Sequence, residues 1–186
     1  MSEEYMSASP SGILRWSFLF LRSIIWTVLI PGTVTVYLPY RILSRSSQTV
    51  IESWGPTQFL SLIPIVIGTA ILFNCIWNFA VVGKGTLSPV DAPRHLVVRG
   101  LYRYVRNPMY AGVLIILLGE ALYFKSVVLV GFAFVFFVVI NLVIMLIEEP
   151  GLRRQFGEPY ERYCRYVHRW LPAKRFDPDG LETTGH

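Results

Sequence analysis

An all-α, polytopic membrane protein with about four transmembrane helices is the fold this sequence predicts, and three observations predict it. The 186 residues are 53% hydrophobic and only 16% charged, whereas a soluble domain carries roughly a quarter charged residues. Mean hydropathy is +0.49, and the apolar residues fall in long blocks parted by polar stretches, the pattern of spans and loops. The basic residues behind the net charge of +5 cluster in the stretches that flank those blocks. In a soluble chain such basicity suggests nucleic acid. Beside apolar segments it reads as membrane topology, so no nucleic-acid partner is expected.

The elements follow in chain order. Residues 1–12 are polar and small, with no basic start before the first apolar stretch, and read as a disordered leader rather than a cleaved signal. A first span is expected over about 14–38, kinked near Pro31. A polar connector from Arg41 to Gly55 leads to a second span, about 57–82, with Pro64 in its first turns. The longest polar stretch, Gly83 to Asn107, follows. A third apolar block covers 108–124, and a tight turn at Lys125-Ser126 leads to a fourth span, 127–147. The last two blocks read as an antiparallel hairpin. One membrane domain, 13–174, accounts for nearly the whole length, with a disordered tail over 175–186.

Charge sets the expected orientation. The 83–107 loop holds five Lys/Arg and the chain after Ile147 holds seven, against one in the turn at Lys125. Loop and tail then lie in the cytoplasm, and an even number of spans puts the N-terminus there too. Arg41 and Arg45 fall outside, outnumbered. The compact chain fits a prokaryotic inner membrane.

Two cysteines, Cys75 in an apolar block and Cys164 in the basic tail, suggest no disulfide framework. His95, His168 and His186 show no metal-ligand spacing with each other or with the cysteines, so no metal site is expected.

Chemistry is sought at the boundaries of the third and fourth blocks. Asn107-Pro108 is a natural helix start: asparagine suits the cap and proline the first helical position. A helix N-terminus at a membrane surface favours a carboxylate or other anion. A basic anchor with tyrosines in the headgroup belt fits the same composition. The fourth span ends in Glu148-Glu149-Pro150. Adjacent carboxylates at a helix C-terminus meet the unfavourable end of its dipole, so either they begin a new helix at Pro150 or one holds a cationic ligand. Asn141, Met145 and Glu148 or Glu149 share one helical face that can line a cavity. Beyond Pro150, the residues Leu152, Phe156, Tyr160, Tyr163, Val167 and Trp170 recur at steps of three and four, broken near Gly157. That amphipathic segment fits the membrane surface or a lid over the loop. Glu120, near the outer end of the third block, reads as a functional acid or as an interfacial residue reaching outward, and is left out of the site.

Gly100-x-Tyr102, then Arg106-Asn107-Pro108-Met109-Tyr110-x-Gly112, then Glu148-Glu149-Pro150, then Phe156-Gly157-x-x-Tyr160-x-x-Tyr163, together resemble the isoprenylcysteine carboxyl methyltransferase and phospholipid methyltransferase group of membrane enzymes. The resemblance covers about residues 83–172. It implies a helical membrane methyltransferase using S-adenosyl-L-methionine on the cytosolic side, without the soluble dinucleotide-type fold. Cofactor contacts carried over by motif fall at Arg94, His95, Leu96 and Val97, at Tyr102, at Asn107, Pro108, Met109 and Tyr110, and at Glu148. Gly83 and Gly85 match the Gly-x-Gly of the phospholipid enzymes. Asn107 stands where the carboxyl methyltransferases carry histidine, and Ile144 where they carry an arginine for the substrate carboxylate. An amine, thiol or hydroxyl acceptor with an apolar tail, drawn from the lipid, therefore fits at least as well as a carboxylate, with Glu149 as candidate base for a neutral acceptor. The competing reading is a non-catalytic membrane scaffold whose basic loops bind anionic headgroups.

Overall fold

The computed structural model describes residues 29–46, 55–82 and 98–176. The leader, the first half of the first span, the loop residues 83–97 and the tail beyond 176 lie outside them.

Every regular element among the described residues is helical. Residues 29–45 form one helical run with a π turn at Thr33–Tyr37 leading into α1, Leu38–Arg45. The helix therefore continues past the expected boundary at residue 38. Pro39 offers no N–H to the carbonyl four residues back, and the wider turn absorbs the gap, with the Leu38 N–H bonded to the Thr33 carbonyl. α2, Pro56–Val82, spans 27 residues, about 40 Å of helix. α3 is Pro108–Tyr123 and α4 is Val127–Val143. The chain turns between them at Lys125, whose φ is 49°. Buried Ser126 accepts a hydrogen bond from the Leu129 N–H at 3.4 Å and caps α4. A second π turn, Ile144–Glu148, joins α4 to α5, Glu149–Phe156. Gly157, at φ 58°, breaks that run and starts α6, Glu158–Tyr166.

Two of these helices are long and apolar enough to cross a membrane, over Pro56–Asn78 and Val127–Phe156; α3 is a shorter apolar helix. Large apolar side chains point outward along both: Val66 is 65% exposed, Phe134 67% and Leu146 71%. Apolar surface on this scale needs lipid or another apolar cover.

α2 and α3 meet through glycines. A Cβ on Gly68 would fall 2.7 Å from the Gly112 carbonyl oxygen, and one on Gly119 would fall 2.7 Å from Ile65 Cγ1. Small residues at such crossings let backbones approach where apolar solvent supplies no hydrophobic drive. The pairing of residue 68 with 112 and of 65 with 119 makes the two helices antiparallel. α4 returns along α3, with Leu129 packed on Ala121 near the turn. The N-terminal helical run lies beside both, Leu43 against Ala121 and Leu129, and Val34 against the Val113, Leu117 and Ala133 cluster. Successive helices thus alternate in direction, and the end of α2, the start of α3 and the exit of α4 share one end of the bundle. Gly68→Ala is expected to lower the thermal midpoint in detergent, with overpacking costing about 1–3 kcal/mol. Gly131→Ala, with open space at its Cβ, is expected to hold or raise it.

Candidate active site

At that shared end the chain from Val98 to Asn107 crosses the helix termini. Arg99 is extended, and Gly100 turns the backbone to φ 55° to open a 3-10 turn, Gly100–Arg103. The turn rests on α2: a Cβ at Gly100 would lie 2.7 Å from Asn78 Nδ2, and that amide is fixed by bonds of 2.8 Å to both oxygens of Asn74. Gly100→Ala meets a left-handed backbone and a braced amide at once. It should destabilise by about 1–2 kcal/mol or more, read as a lower thermal midpoint.

The turn delivers Tyr102 into the bundle. Its ring is half-buried, and its hydroxyl sinks against α2, hydrogen-bonded with the Cys75 thiol. Burial pushes the Tyr102 hydroxyl well above its ordinary range, and the nearby Cys75, Tyr110 and Tyr163 push it the same way. Tyr102 is therefore a neutral phenol fixed at its tip, with ring surface left over.

Asn107 takes the N-cap position of α3, but its side chain makes no capping bond. The expected cap is present in position and absent in chemistry, which leaves the helix start open to an outside acceptor. Pro108 is buried in the first turn; Met109 and Tyr110 are half-buried beside it. The Tyr110 hydroxyl donates a short hydrogen bond to Glu148 Oε1, tying the start of α3 to the exit of α4. Close by, Arg106 is nearly buried, and its Nε has no hydrogen-bond partner among the described residues.

The π turn explains how two consecutive carboxylates serve different neighbours. An α-turn stacks residues four apart; a π turn stacks residues five apart. Ile144 and Glu149, five apart, are both buried, and Glu148 is left to face Tyr110. Glu149 turns to the C-terminal segment. Arg169 grips it with Nε at 2.6 Å from Oε1 and Nη2 at 2.8 Å from Oε2, and Arg106 Nη1 lies 3.2 Å from Oε1. Both oxygens of the expected base are thus occupied by guanidinium groups.

The amphipathic stripe read from the sequence folds over the 98–107 crossing. Tyr160, Tyr163 and Val167 form a buried cluster with Val98 and Phe176, and Leu152, Phe156 and Cys164 pack against it. Phe176, assigned to the tail, belongs to this cluster, because an aromatic ring there finds Tyr163 and Tyr166. Asn141, expected to line a cavity, accepts from Trp170 Nε1 at 3.0 Å, while Met145 is exposed.

The structure therefore brings Tyr102, Tyr110 and Glu148 together beside the α3 start. Arg94, His95, Leu96, Val97, Gly83 and Gly85 lie outside the described residues. Sequence reasoning missed Arg169 and Asn78, and named Trp170 and Cys75 without giving either a contact at the site. Arg169 stands twenty positions from Glu149, so no local spacing links them. Among the described residues no group of His, Cys, Asp or Glu is placed to hold a metal ion.

Outward apolar helices and one polar, acid-bearing end define a membrane protein whose described regular elements are all helical, with a candidate ligand site at its helix termini. The profile of the phospholipid methyltransferase family matches residues 56–159, more than half of the chain, and the protein belongs to that family of membrane methyltransferases. No curated protein and no solved structure matches the chain.

Proposed function

We propose that the protein is an S-adenosyl-L-methionine-dependent methyltransferase acting on a lipophilic acceptor, with four spans, both termini in the cytoplasm and the site at the cytoplasmic face. The observation that carries this reading is the Tyr110–Glu148 pair, which joins the first turn of α3 to the exit of α4. Beside it stand the complementary groups a charged nucleoside needs. The helix start without a side-chain cap and the Arg106 Nε, which has no partner among the described residues, suit the carboxylate of the cofactor. Glu148 suits its ammonium or ribose hydroxyls, and the Tyr102 ring its adenine or sulfonium. When bound, S-adenosyl-L-methionine supplies an electrophilic methyl group. The chain's own contribution is to hold donor and acceptor in line and to exclude water.

The acceptor is proposed to be uncharged at the reacting atom. No basic residue occurs in 127–147, and Ile144, where a carboxylate-binding arginine would stand, is buried. A neutral amine with an apolar tail fits best. It attacks through its lone pair, the methylated product is an ammonium, and its proton leaves to water afterwards. No protein base is needed for that order, which accords with Glu149 being engaged by Arg169 and Arg106.

Calorimetry of the purified protein with S-adenosylhomocysteine tests the reading. Micromolar binding is expected; a folded, detergent-stable sample that binds none sustains the scaffold reading instead. Incubating membrane extract with methyl-labelled cofactor and fractionating the lipids then identifies the acceptor.

A further inference from the structure

We propose that the C-terminal segment 167–176 is a latch that sets the geometry of the site, with Glu149 and Arg169 as positioning residues. The proposal rests on the site assignment above. The segment runs beside residues 103–107 and is laced to them by backbone bonds. The Arg106 N–H donates to the His168 carbonyl at 2.9 Å and the Asn107 N–H to the Arg169 carbonyl at 3.3 Å. Further along, the Ala173 N–H donates to the Tyr104 carbonyl at 2.8 Å and the Phe176 N–H to the Arg103 carbonyl at 3.0 Å. The Tyr163 hydroxyl, just before the segment, donates to the Tyr102 carbonyl at 2.6 Å. The wall carrying Tyr102 and Asn107 is therefore held from the C-terminal side.

The same segment is anchored to the opposite wall. Arg169 grips both oxygens of Glu149. Trp170 bonds Asn141 on α4 and lays its ring 5.2 Å from that of Phe137. Glu149 directly follows Glu148, the last residue of the π turn, so holding Glu149 holds the backbone from which Glu148 projects. Arg106 completes the link, contacting Glu149 at 3.2 Å and the Cys164 Sγ at 2.8 Å. One strap thus spans the two walls whose convergence makes the site.

The test uses the full-length chain and two readouts: the S-adenosylhomocysteine dissociation constant, and the alkylation rate of Cys164 located by mass spectrometry. Cys164 is half-buried in the cluster under the segment and reports release of the strap independently of cofactor. Losing a charge-assisted bond should raise the Kd of Arg169→Ala about tenfold or more and speed Cys164 alkylation by a similar factor. Arg169→Lys should fall between, and added ethylguanidine should restore Arg169→Ala in both readouts, which a merely misfolded protein would not allow. If Arg169→Ala fails to fold, Trp170→Phe keeps an aromatic ring beside Phe137 but loses the indole N–H bonded to Asn141 and part of the ring packing, with both readouts moving about threefold in the same direction. Arg162→Ala, whose exposed side chain pairs with exposed Glu158 among the described residues, should move neither. Faster alkylation with unchanged affinity overturns the positioning role, and no change in either overturns the latch. If the wild type itself binds no S-adenosylhomocysteine, the methyltransferase reading falls and the positioning role with it; wild-type binding with equal binding by Arg169→Ala sinks the positioning role and leaves the methyltransferase reading standing.

Discussion

Glu148→Ala is expected to weaken S-adenosylhomocysteine binding by a hundredfold or more and to abolish methyl transfer. The carboxylate accepts from Tyr110, and in the proposed complex also from an ammonium or ribose hydroxyl. Bonds to charged groups contribute about 1.5–3 kcal/mol each, and about 1.4 kcal/mol is a decade in Kd, so losing the ligand bond and the orientation of Tyr110 together exceeds two decades. Glu148→Gln keeps the shape and an acceptor oxygen but not the charge, and should fall between. Tyr110→Phe removes a single bond and should cost about tenfold. The double variant should lose less than the two effects summed, because the residues act through one contact. Thermal midpoints separate binding from folding: Glu148→Ala strands one half-buried phenol, a cost of about 1–3 kcal/mol. Wild-type affinity in a folded Glu148→Ala protein would remove the acid from the site and end the assignment.

Much of this fold was legible because it depends on local chemistry. Apolar blocks bounded by Asn107-Pro108 and Lys125-Ser126 give helix limits directly, and the structure places α3 at Pro108–Tyr123 and α4 from Val127. Glu149-Pro150 does not end the fourth span at 147 as expected, since the helical run from Val127 continues through it to Phe156. The stripe from Leu152 to Val167 was readable for the same reason, since its period is that of one helix face. What spacing does not carry is tertiary pairing. Spacing alone does not distinguish Glu148 from its neighbour, which only the motif resemblance separated; in the structure a π turn does, and a π turn is a compromise of packing rather than a motif. Asn107 was legible as a cap position, yet whether its amide reaches a free N–H depends on a side-chain torsion that sequence leaves open. The first helical run outlasts residue 38 because Pro39 is accommodated by that same kind of widened turn, where the usual rule has proline end a helix. Within the proposed site, Tyr102, Tyr110 and Glu148 came from motif; Arg106 as a nearly buried cation whose Nε lacks a partner among the described residues came only from the structure.

Glu149→Ala should be the most destabilising single substitution outside the helix-packing glycines. Glu149 is 7% exposed at its side chain and holds Arg106, at 13%, and Arg169, at 35%. Removing it leaves one nearly buried guanidinium and one partly buried one without their shared anion. Breaking a buried pair by deleting one partner costs about 3–5 kcal/mol, and solvent at Arg169 puts the expectation at the lower end, about 3 kcal/mol. Stability of that order is a large fraction of what a small domain possesses, so a lower thermal midpoint and poor yield in detergent are the expected readings. Deleting cation and anion together tests the cause. A triple replacement, Arg106→Met, Glu149→Leu and Arg169→Met, removes the charges while filling the volume, and should be more stable than Glu149→Ala, because no charge is left stranded. It should nonetheless bind S-adenosylhomocysteine poorly, since hydrocarbon packing does not reproduce the fork that aims the π turn. A triple variant as unstable as Glu149→Ala would mean that the cost lies in lost packing at the α4 exit, and the clamp would lose its claim to hold the two walls by charge.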